Sequence, residues 1–343
     1  MQKTPHELGY CMPAEWERHE ATWLSWPKNP LTFPAPMLPA VEKTYCEIVR
    51  ALSGSERVKI LVDGDSIERS VADKLEKAGA RMKNVLFSRI KSADVWIRDY
   101  GPTYLLNRKT RQKAAVKWTF NAWGNKYDDL LYDNKAGEQV AQSGGIPVFR
   151  PGIVLEGGSI DVNGAGCVLT TEQCLLNKNR NPELNKEQIE GYLREYLGIE
   201  KIFWLKSGIE GDDTDGHIDD FARFVSGNSI LCAYGEGNGN NSPVLKKNLE
   251  ILEKTEFEIT KLPMPKPLID QEENRRLPAS YANFYIGNKA VLLPSFGEER
   301  DKEAISILQG FFPGREIVPI NSRELVYGYG GIHCITQQEP TGK

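Results

Sequence analysis

Three hairpin turns, Asn163-Gly164, Gly227-Asn228 and Gly287-Asn288, recur with their glycines 63 and 60 residues apart. Asn and Gly accept the positive φ that tight hairpin turns demand. Each turn lies between apolar strands and is followed by an amphipathic helix and one more short strand. The first copy is expected over Ser159–Val162, Cys167–Thr171, helix Lys186–Leu197 and strand Lys201–Leu205. The second runs Phe221–Val225, Ile230–Ala233, helix Pro243–Lys254 and strand Glu258–Leu262. The third runs Phe284–Ile286, Ala290–Leu293, helix Glu299–Phe311 and strand Glu316–Ile320. A looser earlier copy spans Thr103–Leu106, Ala114–Phe120, helix Asp133–Gln142 and strand Pro147–Arg150. A helix over 37–53 ending at Gly54 and strand Val58–Val62 make a split fifth copy, its missing strand supplied by Ile332–Thr336.

A fixed period of this length points to a ring or an array. The spacing therefore predicts an α/β fold of five repeated ββαβ units, one domain over residues 1–343, closed by pairing the two chain ends. A further helix is expected over Ser66–Ala78, with Ser66 as N-cap. Residues 10–36, with Trp16, Trp23 and Trp26 among five prolines, read as an irregular but packed opening segment.

A net charge of −4 offers no basic field for nucleic acid. No apolar run approaches a membrane span, and the first ten residues lack the apolar core of a secretory signal. In a long chain that is not cysteine-rich and shows no secretory signal, the six cysteines are expected as reduced thiols in the cytoplasm, and none forms a C-x-x-C pair. With four histidines and no metal-binding spacing, neither a metal nor a cofactor is expected.

Polar segments recur just ahead of the hairpins: Asp94-Val-Trp-Ile-Arg-Asp99, Leu155-Glu156-Gly-Gly-Ser and Asp212-Asp-Thr-Asp-Gly-His217-Ile-Asp219. Glu156 and His217 stand one repeat apart, so a ring would bring them toward a common axis. Cys334 follows the glycine turn Gly328-Tyr-Gly-Gly331, as a positioned nucleophile would. Taken singly, each has a plainer reading: Glu156 as a turn cap, Asp94 paired with Arg98, Cys334 on a core strand. Together they make a thiol, an imidazole and several carboxylates. Converging carboxylates need a cation. A planar guanidinium suits them, since carboxylates grip it two points at a time and its charge favours a thiolate nearby.

At these residues the chain resembles the agmatine deiminases. Trp96–Pro102, Leu155–Ser159, Asp212–Asp219, Gly330–Pro340 and the opening Met12–Pro27 carry the likeness, in the same order, across nearly the whole chain. The resemblance implies the five-bladed α/β propeller (pentein) of the guanidino-modifying enzymes and hydrolysis of agmatine to N-carbamoylputrescine and ammonia, a step of putrescine synthesis. It implies Cys334 as nucleophile, His217 as general acid then base, and Asp94 and Asp219 as grips on the guanidinium. Glu156, Asp213 and Trp96 are implied as further contacts. Asp99 is a rival to Asp94 that spacing does not separate; the resemblance favours Asp94. Similar enzymes often carry Asn at Asp215 and Gly-Gly-Asn at Tyr329–Gly331, which bears on the pocket wall.

A rival is an arginine or peptidyl-arginine deiminase of the same fold. A free-arginine enzyme should offer a cation to the α-carboxylate; the polar segments hold no compelling Arg for this, though Arg223 lies near one. A third reading is a non-catalytic ring that binds a macromolecule, which has no need of the thiol, imidazole and carboxylate set. A homodimer is compatible with the exposed charged helices.

Overall fold

The structure is a computed structural model; it describes residues 3–235, 239 and 241–342. It is a mixed α/β fold of small separate sheets. In four of them a hairpin is followed by a helix and a strand parallel to the second hairpin strand. A parallel return needs such a crossover. The four begin with Thr103–Asn107, Asp161–Val162, Ala222–Phe224 and Tyr285–Ile286. Their crossover helices are Asp133–Ser143, Lys186–Leu197, Asn241–Leu252 and Glu299–Phe311.

Local signals placed the best-read elements. Lys186–Leu197 starts at a capping box, Asn185 with Gln188, and ends at left-handed Gly198. Glu299–Phe311 starts at a box of Glu298 with Asp301. The helix expected from Ser66 instead spans Asp65–Lys77 behind Gly64, whose side chain-free position makes no cap.

The fifth sheet joins the two ends of the sequence and departs from expectation twice. His19–Ser25, inside the segment read as irregular, is a seven-residue strand. It pairs parallel with Arg57–Leu61 across helix Leu38–Leu52, and antiparallel with Gln337–Pro340. Ile332–Thr336, expected as that closing strand, forms a turn instead, and the strand begins at Gln337. A polar run such as Gln337-Gln-Glu339 is buried here because its groups are satisfied. Glu339 accepts from Trp23 Nε1 at 2.9 Å, Lys59 Nζ at 2.7 Å and Lys113 Nζ at 2.6 Å. Burial raises the Glu339 pKa, but the two ammonium groups outweigh it and hold the carboxylate ionised below its ordinary range.

Replacing Glu339 with alanine removes the carboxylate that Lys59 and Lys113 share and leaves Lys113 paired with Glu20 alone. The expected loss is about 3 kcal/mol, read as a lower urea midpoint at unchanged m-value.

Side chains stitch neighbouring sheets. Asp161 accepts from Arg223 Nε at 2.6 Å and from the Phe224 N–H at 2.8 Å. Arg223 also donates to the carbonyls of Ala282 and Phe284. Asn288 exchanges hydrogen bonds with the His19 backbone, and Lys113 spans to Glu339. Four apolar clusters fill the spaces between sheets and helices. No helix among the described residues is long and apolar enough to cross a membrane.

Candidate active site

The polar segments ahead of the hairpins form short 3-10 or single-turn helices, Ile97–Tyr100, Gly157–Ser159 and Ile218–Asp220. They pack together, and glycine makes the approach possible. A Cβ on Gly158 would lie 2.6 Å from His217 Nδ1, 2.9 Å from Asp99 Oδ1 and 3.1 Å from Asp219 Oδ2. Gly158 therefore marks the point where three polar segments meet.

Cys334 sits in the turn before the closing strand, buried at the floor of a cavity of about 300 Å³. Arg98 holds that turn: its N–H donates to the Cys334 carbonyl, Nε to the His333 carbonyl and Nη1 to Gln338 Oε1 at 2.7 Å. Asn283 Nδ2 donates to Cys334 Sγ at 3.3 Å, and Asp219 Oδ2 lies 3.9 Å from the sulfur. Gly330 and Gly331 are needed for packing, since a Cβ on either would meet Trp96 or Asn283 at 2.3 Å. Tyr329 adopts φ 64°, the left-handed conformation that Gly or Asn takes with less strain.

The cavity wall includes Trp96, Asp99, Trp123, Tyr127, Asp213 and Tyr329. Asp99, not Asp94, faces it. Asp99 accepts from the Gly158 N–H at 2.9 Å and Trp123 Nε1 at 2.9 Å, and stands 3.8 Å from His217 Nδ1. Asp94 is turned into the protein, accepting from Asn29 Nδ2, Thr32 Oγ1 and the Val95 N–H. Burial pushes its pKa up to about 6 despite those donors. The two carboxylates are five residues apart, and the turn Ile97–Tyr100 between them points them to different sides.

Asp219 is fully buried; Oδ2 accepts from His333 Nδ1 at 2.7 Å, while Oδ1 has no partner among the described residues. Glu156 does not reach the cavity. Its Oε1 accepts from Arg180 Nε at 2.6 Å, and its carboxylate lies with Cys174 and His217 in one buried cluster. Asp213 is at the rim, bound by Tyr127 and Arg275. Arg275 itself lines the cavity, a cation that the polar segments did not announce; it stacks on Tyr329 at 4.4 Å. Arg223 is instead locked inside by Asp161 and Glu15.

Trp123 was not legible as a site residue. Ala122, Trp123, Gly124 and Asn125 have φ of 51°, 54°, 88° and 61°, a left-handed turn. Such a run costs roughly 1–2 kcal/mol per non-glycine residue. Asn121 stabilises it by accepting from the Gly124 N–H at 2.8 Å. The strain places the indole N–H on Asp99. The only local signal is Asn121-Ala-Trp-Gly-Asn125, which alone reads as an ordinary turn.

Charges in the site oppose one another. Burial disfavours the His217 cation, yet Asp99 first, then Cys174 and Glu156, raise its pKa well above the ordinary value. The shift favours the protonated ring of His217, whose two nitrogens have no hydrogen-bond partner among the described residues. Burial, with Asp219, Asp220 and Asp99, pushes the Cys334 thiol well up. The shift favours the protonated thiol. Alkylation of Cys334 by iodoacetamide is accordingly expected to speed up about tenfold per pH unit from pH 7 to 9, with no plateau. A rate already flat at pH 7 would contradict the raised thiol.

Two triads bring metal-ligand atoms within 4.8 Å: Glu156, Cys174 and His217, and Asp219, Asp220 and Cys334. Each carboxylate in them already has a protein partner on one oxygen. Arg180 neutralises Glu156, His333 takes Asp219 Oδ2, and Asn283 Nδ2 donates to Asp220 Oδ1.

The chain is similar along its whole length to known proteins. The agmatine deiminase of Ectopseudomonas mendocina is 37% identical over 368 residues, covering 98% of this chain and 97% of that protein. A Cys-to-Ser variant of the C. jejuni agmatine deiminase, solved with substrate bound, superposes with TM-score 0.88 at 33% identity, covering 97% of each chain. The Enterococcus faecalis agmatine deiminase, described as catalysing its reaction, gives TM-score 0.90 at 33% identity, covering 99% of this chain and 98% of that one. Residues 11–340 match the profile of the Porphyromonas-type peptidyl-arginine deiminases, and the chain belongs to that family.

Proposed function

We propose that the protein hydrolyses agmatine to N-carbamoylputrescine and ammonia, through a covalent intermediate on Cys334. The observation that carries this is the placing of Cys334 and Asp99 in the wall of a small cavity, with His217 and Asp219 packed beside them around Gly158, so that buried carboxylates next to the thiol call for a positive charge. A guanidinium supplies that charge. Asp99 and Asp219 hold its nitrogens, and Trp96 and Trp123 flank it.

The bound cation stabilises the thiolate, so Cys334 gives its proton to solvent and attacks the guanidinium carbon. His217, already protonated, delivers its proton to the departing nitrogen, and ammonia leaves. The S-alkylthiouronium that remains is attacked by water. His217, now neutral, takes the water's proton, and the C–S bond breaks to return the thiol and the carbamoyl product. Glu156 acts from behind His217 rather than on substrate. Asp213 meets the far end of the substrate at the rim.

Agmatine is favoured over arginine by the pairing of cations near the cavity. Arg275 is already paired with Asp213 and stacked on Tyr329, and Arg223 is buried between Asp161 and Glu15, which supports a substrate without an α-carboxylate. The test is ammonia release from agmatine, arginine and a peptidyl-arginine by the same preparation. Agmatine is expected to exceed both by at least about 100-fold in kcat/KM. Faster turnover of either arginine substrate overturns the assignment.

We further infer that the five units close into a ring, a five-bladed α/β propeller and one domain. The links from Asp161 to Phe224, Arg223 to Phe284, Asn288 to His19 and Lys113 to Glu339 support it. Six free cysteines accord with a reducing cytoplasmic setting.

A further inference from the structure

His333 and Glu15 take no part in the chemistry above, yet both lie against it. Glu15 comes from the tryptophan-rich opening segment and His333 precedes the nucleophile. His333 Nδ1 is 2.7 Å from Asp219 Oδ2, and Nε2 is 2.7 Å from Glu15 Oε2. A neutral imidazole has one N–H and one bare nitrogen, and ionised carboxylates only accept. Both contacts are hydrogen bonds at once only if the ring carries two protons.

We propose that His333 is held as an imidazolium between Glu15 and Asp219, and that this positioning pair presents the free oxygen of Asp219 to the guanidinium. The inference rests on the guanidinium reading of the site. The far end of the relay is rigid: Glu15 Oε1 accepts from Arg223 Nη2 at 3.0 Å and the Ile286 N–H at 2.8 Å. The His333 backbone is fixed too, its N–H donating to Asn283 Oδ1 at 2.9 Å. All these groups are buried.

The consequence is at Asp219. A carboxylate on a broad terminal torsion can turn either oxygen toward a ligand. With Oδ2 taken by His333, its rotation is stopped, and the oxygen left over is Oδ1. That atom is buried with no partner among the described residues. An unpaired buried acceptor is costly, and a guanidinium N–H relieves the cost. His333 thus decides which oxygen waits for substrate. It also balances one carboxylate charge, so that Asp219 stays ionised in a buried place.

The experiment uses the full-length protein labelled with ¹⁵N-histidine. Only four imidazoles are present, and loss of one signal in His333→Gln assigns it. In the wild type both ring nitrogens of His333 are expected to be protonated at neutral pH. A bare nitrogen on His333 overturns the proposal without any substitution, and independently of what the substrate is. Kinetics provide the second arm. Glu15→Gln keeps the shape and removes the charge that holds the ring protonated. Its KM for agmatine is expected to rise about 10- to 100-fold, with kcat within about threefold, because the grip of Asp219 serves ground and transition states alike. An unchanged KM, or a fall confined to kcat, overturns the positioning role. Should wild type release no ammonia from agmatine, the substrate reading fails while the spectroscopic arm still decides the relay.

Discussion

Cys334→Ala is expected to lower kcat for ammonia release from agmatine by about 10⁴-fold or more, with the fold intact. Two features separate this loss from unfolding. The side chain is small, and the turn that bears it is held by Arg98 through backbone carbonyls and Gln338, none of which the substitution touches. Thermal unfolding should therefore shift by only a few degrees. Mass spectrometry of wild type quenched during turnover should find the substrate-derived adduct on the peptide containing Cys334. Equal ammonia release by the alanine variant removes the nucleophile assignment, and an adduct on any other cysteine relocates it.

The second large effect distinguishes two carboxylates that the sequence left as rivals. Asp99→Asn is expected to lower kcat/KM for agmatine by about 10³-fold. Two losses combine. The guanidinium loses one ionic grip, and His217 loses the carboxylate that most favours its protonated form, leaving burial to push its pKa down. The kcat profile should then fail at lower pH than in wild type, because His217 gives up its proton earlier as pH rises. Asp94→Asn keeps one acceptor oxygen for either the Asn29 and Thr32 pair or the Val95 N–H, and none of these bonds involves Cys334 or His217. Its kcat/KM should fall by less than about tenfold, in line with a structural hydrogen-bonding role. A reversed order, with Asp94→Asn the more damaging, returns the guanidinium grip to Asp94.

The contrast between Asp94 and Asp99 also shows what kind of information the sequence holds. Elements set by local chemistry were legible. The capping box at Asn185 and the turn at Gly227-Asn228 are determined within a few residues, and Lys186–Leu197 and Glu299–Phe311 were read to the residue. The repeat placed four hairpins and their crossover helices. What failed depends on partners far along the chain. His19–Ser25 looks irregular beside its prolines until Gln337–Pro340 and Arg57–Leu61 flank it. Gln337–Pro340 is too polar to read as buried without Lys59, Lys113 and Trp23.

The site divides the same way. Cys334, His217 and Asp219 stand near one another, and repeat spacing hinted at this. The direction in which each carboxylate faces did not follow from spacing, because one short helical turn reverses it. Trp123 needed a left-handed turn that residue preferences disfavour. Glu15 and Asn283 were silent, since neither lies in a segment whose composition suggests chemistry. Their contributions arise only where distant segments touch Cys334 and His333.

The strand that ends the described fold has a bearing on how the protein is made. Trp23 and Glu339, hydrogen bonded across the closing pair, are 316 residues apart. During synthesis His19–Ser25 emerges early and waits with one edge unpaired until Gln337–Pro340 arrives. A waiting edge is a template for pairing with other chains. The Cys334 thiol is translated just before that strand, so it appears almost at the moment its housing closes. A nascent chain stalled short of residue 334 would be long, largely folded and chemically inert, and its open edge would make it a candidate for chaperone capture or co-aggregation.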